Sequence, residues 1–216
     1  MPSPRPYRLT RCGLHGQEEE ALNGKTGYHH GSLRQVLIDA ALDLIARDGI
    51  ASFSLAQAAA RAGVSVAAPY RHFSSKSDLL GAIARLGFEQ LSQALSGVPT
   101  SDPEETLLEA GIRYVTFAAE HPALFEVMFD NRERAPQSRE GLAALAKLGE
   151  PLERLAAAGR LTVPVETAVK SAWAMVHGVA LLRAGGMLTF AGTDTQTSLR
   201  AALRPLLEGG LIRPGS

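Results

Sequence analysis

The sequence predicts an all-α protein, and three observations carry that expectation. Apolar residues recur at three- and four-residue spacing, beginning with Leu33, Leu37, Ala40, Ala41 and Leu44. Helix starts are signalled repeatedly by Ser, Thr or Asp with a polar partner three residues on, and helix ends by Gly. No stretch reads as a strand, and no internal repeat is present.

Taken in order, residues 1–27 mix Pro, Gly and charge, with Arg5, Arg8, Arg11 and Lys25 set against Glu18, Glu19 and Glu20. Without sustained periodicity they are expected to form a flexible arm. Either the arm has no role or, being basic, it reaches into a minor groove. Ser32 with Gln35 forms a capping box for a first helix, and Gly49 ends it. Ser54 with Gln57 opens a short second helix that stops at Gly63. A third starts at Ser65, and a fourth at Ser75 with Asp78. Residues 98–103 read as a linker in which Asp102 caps the next helix. Pro103 takes its first position, where the missing N–H costs nothing. Leu107, Gly111, Tyr114, Val115 and Ala118 share one face of that helix, which His121-Pro122 ends. Further helices are expected over 138–158, 165–188 and 194–207, the last capped by Thr193 with Gln196.

The 216 residues suffice for one large or two small domains, and 45% hydrophobic with 20% charged residues is an ordinary globular balance. Net charge is zero, so a nucleic-acid partner must be read from local pattern. The single cysteine, Cys12, excludes a disulfide framework and a cysteine-ligated zinc site. His29 and His30 have no third ligand nearby, so neither metal nor cofactor is expected. No apolar run reaches the roughly 20 residues of a membrane span, and the first residues lack the core of a signal peptide. The expected location is cytoplasmic.

Residues 52–80 carry the function. Leu55, Ala58 and Ala59 face inward on a short helix, Gly63 permits a tight turn, Val64 plugs the angle, and Ser65 caps the next helix. That is the layout of a helix-turn-helix, with residues 65–72 as the recognition helix. Val66, Ala67 and Ala68 occupy its base-facing turn and can only touch thymine methyls. Tyr70, His72 and Lys76 follow at spacings suited to phosphates, while Ser54, Ser65 and Arg71 are further candidates for DNA contact. Tyr70 reads equally as a core aromatic, and Pro69 removes one backbone bond to the Ser65 carbonyl.

Gly63-Val64-Ser65, Tyr70-Arg71-His72-Phe73, Lys76 and Leu79-Leu80 together resemble the signature of the TetR family of repressors. Tyr28-His29-His30-Gly31 resembles the lead-in of many members. In the second half, residues 172–178 are similar to the C-terminal domain type named for its Trp-His-Gly residues. His121-Pro122-Ala123-Leu124-Phe125 and Met128-Phe129 extend the likeness. The resemblance implies a homodimer, a divergent ligand-binding domain, and repression of operator DNA relieved by an inducer. The expected organisation is an arm over 1–27, a DNA-binding domain over 28–75, and a ligand-binding and dimerisation domain over 76–216.

Tyr114, Phe117, Phe125, Met128, Trp173 and His177 are the candidate ligand contacts, although each also reads as core. Their apolar character favours a hydrophobic small molecule. For a dimer interface the expected helices are the last two. Leu199, Ala202, Leu203 and Leu206 line one, and Val169, Ala172, Val176 and Val179 the other, with Ser171, Ala174 and Gly178 as small neighbours. An enzyme using His121, Glu126, Asp130 and His177 is the competing class. No nucleophile elbow, phosphate loop, metal-ligand cluster or dinucleotide fingerprint supports it, and no catalytic residue is assigned. A ligand-independent DNA organiser or an activator is the other alternative.

Overall fold

The computed structural model describes residues 30–98, 101–130, 138–188, 196–208 and 210–213. The arm over 1–27, Tyr28, His29 and the Thr193 cap lie outside them. Among the described residues the chain is helical throughout, apart from an isolated bridge between Leu161 and Ile212.

Helix α1 (His30–Ser52) starts before Ser32, which therefore sits in its first turn rather than at its cap. Gly49, at φ 77° and ψ 163°, breaks the helix where the sequence placed its end. Helix α2 (Leu55–Arg61) begins as expected, with Ser54 Oγ accepting from the Gln57 N–H at 3.2 Å. Ser75 does the same for α3 (Lys76–Leu95), accepting from the Asp78 N–H at 3.1 Å. Asp102 and Pro103 open α4 (Pro103–Glu120), and His121-Pro122 turns it into α5 (Pro122–Asp130). Ser138 caps α6 (Arg139–Ala157). Helix α7 (Val165–Ala184) stops four residues short of the expected 188, because Gly185 caps it and Gly186 takes φ 69°. Helix α8 (Gln196–Glu208) follows.

Packing centres on α3 and α4. Helix α3 lies against α5 and α6, whereas α4 lies against α6, α7 and α8; α1 packs on α2 and α5. The α3–α5 crossing is close enough that a Cβ on Gly87 would stand 2.5 Å from Met128 Sδ. Helix α8 presents Leu199, Leu203 and Leu207, four residues apart, to the core. Its other anchor is ionic: Arg200 pairs with Glu109 at 3.0 Å and with Glu105, and Arg204 also pairs with Glu105.

That packing places two of the expected dimer-interface residues inside one subunit. Leu199 and Leu203 are 4% and 3% exposed within one subunit, and Leu203 reaches toward Gly111 of α4. Val179 is half-buried against the same core, and the Leu206 side chain lies outside the described residues.

Candidate nucleic-acid interface and inner cavity

After α2 the chain turns at Gly63 (φ 69°), and the segment from Ser65 to His72 then departs from the expected α-helix. The Ala68 N–H bonds back three residues to the Ser65 carbonyl at 2.9 Å, and Pro69–Arg71 forms a 3-10 turn. Pro69 explains it: with no N–H to send to Ser65, the α pattern cannot start, and the tighter i+3 pattern takes its place. Pro69 and Phe73 are buried, and Arg34 lies over the Phe73 ring at 5.3 Å, so the turn is pinned from inside. Outward it presents Ser65, Val66, Ala67, Tyr70 and Arg71, with Val66 and Tyr70 each 59% exposed. A side chain packed as core could not have that exposure, which removes the core reading of Tyr70. Ser54 is occupied as the α2 cap, while Ala68 and His72 are half-buried at the edge of the exposed face.

Lys76 is placed otherwise than expected. Its ammonium donates to the Ile50 carbonyl at 2.7 Å and the Ala51 carbonyl at 3.3 Å, and stands 5.4 Å from the centroid of the Phe53 ring. Those carbonyls follow the break at Gly49, where the end of α1 leaves acceptors without helical partners. Two of the three ammonium donors are thus used inside the chain, and Lys76 ties α3 to α1.

In the second half, six rings gather at the junction of α3, α4, α5 and α7. Phe129 lies edge-on to Phe88 and tilted over His177, with centroids 5.5 and 4.4 Å apart. Phe125 meets Tyr114 edge-on at 5.7 Å. Through this nest runs a polar chain. The Trp173 Nε1–H can only donate, and it reaches the Tyr114 hydroxyl oxygen at 3.3 Å. The Tyr114 hydroxyl also lies 2.9 Å from His177 Nδ1, and it donates there when the imidazole hydrogen is on Nε2. Burial pushes the His177 imidazole below its ordinary value and the Tyr114 phenol well above its own, so both stay uncharged at neutral pH.

Beside the nest lies a cavity of about 50 Å³, lined by Phe88 and Leu91 of α3, Tyr114, Phe129 and Trp173, and by Gly141, Ala144, Leu145 and Leu148 of α6. Of the six residues expected to meet a ligand, Tyr114 and Trp173 line it, and His177 reaches it through Tyr114. Phe125 packs beneath as core, and Met128 is spent against Gly87. Phe117 faces away, lining an open polar groove with Arg113 and His121. The α6 wall was missed, although its spacing of three, four and seven is a helical face; nothing local says which helix covers it. His121, Glu126 and Asp130 are exposed, whereas His177 is half-buried and engaged with Tyr114.

On the outer side of α7, Ala174, Leu181 and Leu182 are exposed, and a Cβ built on Gly178 would meet nothing within 4 Å. Ala201, Ala202 and Pro205 are exposed on α8. Among the described residues no helix is long and apolar enough to cross a membrane, and no cluster of three or more His, Cys, Asp or Glu could hold a metal ion.

Comparison with known proteins agrees with this geometry. Residues 37–83 match the family described as bacterial regulatory proteins, tetR family, and residues 107–206 match a tetracyclin repressor-like C-terminal domain. A solved structure of a protein of unknown function from Rhodococcus sp. RHA1 is 32% identical, covers 88% of this chain and 100% of its own, and superposes with a TM-score of 0.73. The TetR family transcriptional regulator PfmR from Thermus thermophilus is 23% identical, covering 82% and 96%, with a TM-score of 0.62. The fatty acid degradation regulator FadR from Bacillus halodurans is 19% identical, covering 82% and 95%, with a TM-score of 0.65. No curated protein matches the chain.

Two expected outcomes follow from these placements. Lys76→Met removes two charge-assisted bonds and should lower stability by about 1–3 kcal/mol in thermal or urea unfolding. The salt dependence of DNA binding should not change, whereas loss of a phosphate contact lowers its slope by about one. For His177, the unfolded imidazole takes up a proton near pH 6.5, ahead of the folded one. The unfolded state then binds more protons, so stability falls as pH drops below that value toward the depressed folded pKa. His177→Gln, which does not titrate there, should flatten the fall in melting temperature between about pH 7 and about pH 5.

Proposed function

The chain belongs to the tetR family of bacterial regulatory proteins, and on that premise we propose that it is a homodimeric repressor released from its operator by a hydrophobic small molecule. The observation that carries the DNA reading is the exposed face of Ser65, Val66, Ala67, Tyr70 and Arg71, held out by a buried Pro69 and Phe73. Val66 and Ala67 offer methyl groups for thymine, and Tyr70 and Arg71 offer donors for phosphate or guanine. Residues 28–75 form the DNA-reading unit in this proposal, and residues 76–216 the ligand and dimer unit. Two such faces, related by a dimer axis, read half-sites about 34–36 Å apart.

The dimer surface we propose is the outer face of α7 around Ala174, Gly178, Leu181 and Leu182, together with Ala201, Ala202 and Pro205 of α8. Small residues there let two helix pairs approach closely, and exposed leucines give the pairing its apolar area.

The inducer site is the cavity beside Trp173. Its volume, about 50 Å³, is well below the roughly 300 Å³ of an ordinary small-molecule pocket. An occupant must therefore part α3 from α6, and α3 also carries Lys76 and the link to the DNA-reading face. The ligand acts as an inducer because it prefers the parted state, and only that difference in affinity can shift the equilibrium.

Arg71→Ala should weaken operator binding and lower the salt slope by about one; Tyr70→Phe should weaken it without abolishing it. Wild-type affinity in both variants at moderate salt would remove the 65–72 segment from the interface. Gly178→Glu, a charge on an open α7 face, should give a folded monomer that no longer holds the operator, read by analytical ultracentrifugation. A dimeric Gly178→Glu protein would place the interface elsewhere.

A further inference from the structure

Phe88 lines two spaces at once. On its inner side is the cavity of about 50 Å³ bounded by Trp173 and Tyr114. On its outer side an open groove of about 410 Å³ follows the same α3–α6 seam past Glu89, Ser92, Gln93, Arg139 and Glu140. The Phe88 ring is 3% exposed and rests edge-on against Phe129. Across the seam, α6 contributes the small residues Gly141 and Ala144.

We propose that this seam is the mouth of the inner site and that Phe88 is its gate, admitting, tail first, a slim unbranched aliphatic chain whose uncharged polar head stays in the groove. The proposal rests on reading the inner cavity as the inducer site, and adds the class of molecule and its way in.

Three features lead to that class. An apolar cavity of about 150 Å³ takes a benzene ring, and this one has about a third of that volume. A ring or branched group therefore requires a wide separation of α3 from α6 before it enters, whereas a polymethylene chain requires a new rotamer of Phe88 and a smaller separation. The polar atoms at the inner wall are committed to one another: the Trp173 N–H to the Tyr114 hydroxyl, and that hydroxyl to His177 Nδ1. Among the described residues the lining offers no other polar side chain, so a polar group there would lose its water without replacement. Finally, the groove carries one guanidinium, Arg139, against two carboxylates, Glu89 and Glu140, beside a hydroxyl and an amide. That set hydrogen-bonds a neutral head well and gives a carboxylate no net attraction.

The chain has one tryptophan, and it lines the cavity, so indole fluorescence reads occupancy. The probes are 1-hexanol and cyclohexanol, alike in carbon count and hydroxyl but differing as chain and ring. We expect 1-hexanol to bind at least about tenfold more tightly, the factor that burying roughly two methylenes supplies. Hexanoate should bind more weakly than 1-hexanol, and binding at least as tight would contradict the uncharged head. Phe88→Ala should raise cyclohexanol affinity toward that of 1-hexanol. Ala144→Leu fills the cavity from α6 and should abolish the 1-hexanol response, with circular dichroism reporting the helix content of each variant. Should Phe88→Ala fail to fold, Ala144→Leu decides alone. Equal affinities for chain and ring in the wild type, or an undiminished response in a folded Ala144→Leu protein, would overturn the proposal. Operator binding, followed in the same titrations, separates this proposal from its parent. Chain-selective binding that leaves operator affinity intact supports the gate and removes the inducer role. Operator release with no preference for chain over ring supports the inducer role and removes the gate.

Discussion

Helix α3 runs unbroken from Lys76 to Leu95, and both halves of the molecule are built against it. Its first residue holds the carbonyls at the end of α1. Leu79 and Ile83 sit in the core, and Phe88 and Leu91 form a wall of the cavity. At its far end Arg113 of α4 donates to the Ala94 and Ser96 carbonyls at 3.2 and 2.8 Å. Arg113 pairs in turn with Glu109, and Glu109 with Arg200 of α8. An α-helix does not stretch, so a displacement at Phe88 is felt at Lys76, about 18 Å away along the axis. In the proposed function this rod, with the groups that fasten its ends, is the connector between the cavity and the 65–72 segment.

Where the rod is fastened, charge meets helix-end carbonyls; where it borders the cavity, it presents hydrocarbon. The two environments answer different requirements. A cation on helix-end carbonyls satisfies acceptors that α1 and α3 leave open, and it fixes orientation without demanding shape complementarity. The wall of Phe88, Leu91, Ala144 and Leu148 is loosely filled, so parting it costs contacts rather than buried hydrogen bonds. The Trp173–Tyr114–His177 chain stands at the border and keeps the polar atoms of the nest paired while the apolar side opens. An uncharged His177 is a condition of that arrangement, since a second ring hydrogen would compete with the hydroxyl of Tyr114.

Much of this was legible in the sequence because it is local. Ser54, Ser75, Asp102 and Ser138 start helices through bonds to residues two or three positions on, and Gly49 and Gly63 mark breaks that need positive φ. The segment from Ser65 to His72 follows the turn at Gly63 as expected, but its helical type differs, because Pro69 tips a short stretch from α to 3-10 geometry. Other features depend on which elements meet. The stripe of Leu199 and Leu203 is the same in sequence whether it covers α4 or a second subunit, and ion pairs from Arg200 and Arg204 to α4 accompany the former. Lys76 has the spacing of a phosphate ligand and the surroundings of a helix cap. Phe117 and Tyr114 are three residues apart on α4, yet one faces the groove beside His121 and the other the cavity.

The central claim is that two copies of this chain read DNA together through their 65–72 segments. It is tested most directly by selecting duplexes from a random pool with the full-length protein and measuring the protomers bound per selected duplex. Two protomers on a site with two-fold related halves, their centres one helical turn or a multiple of it apart, is the result the account requires. Enrichment of sites without internal symmetry that carry a single protomer, or no enrichment at low salt, would contradict it.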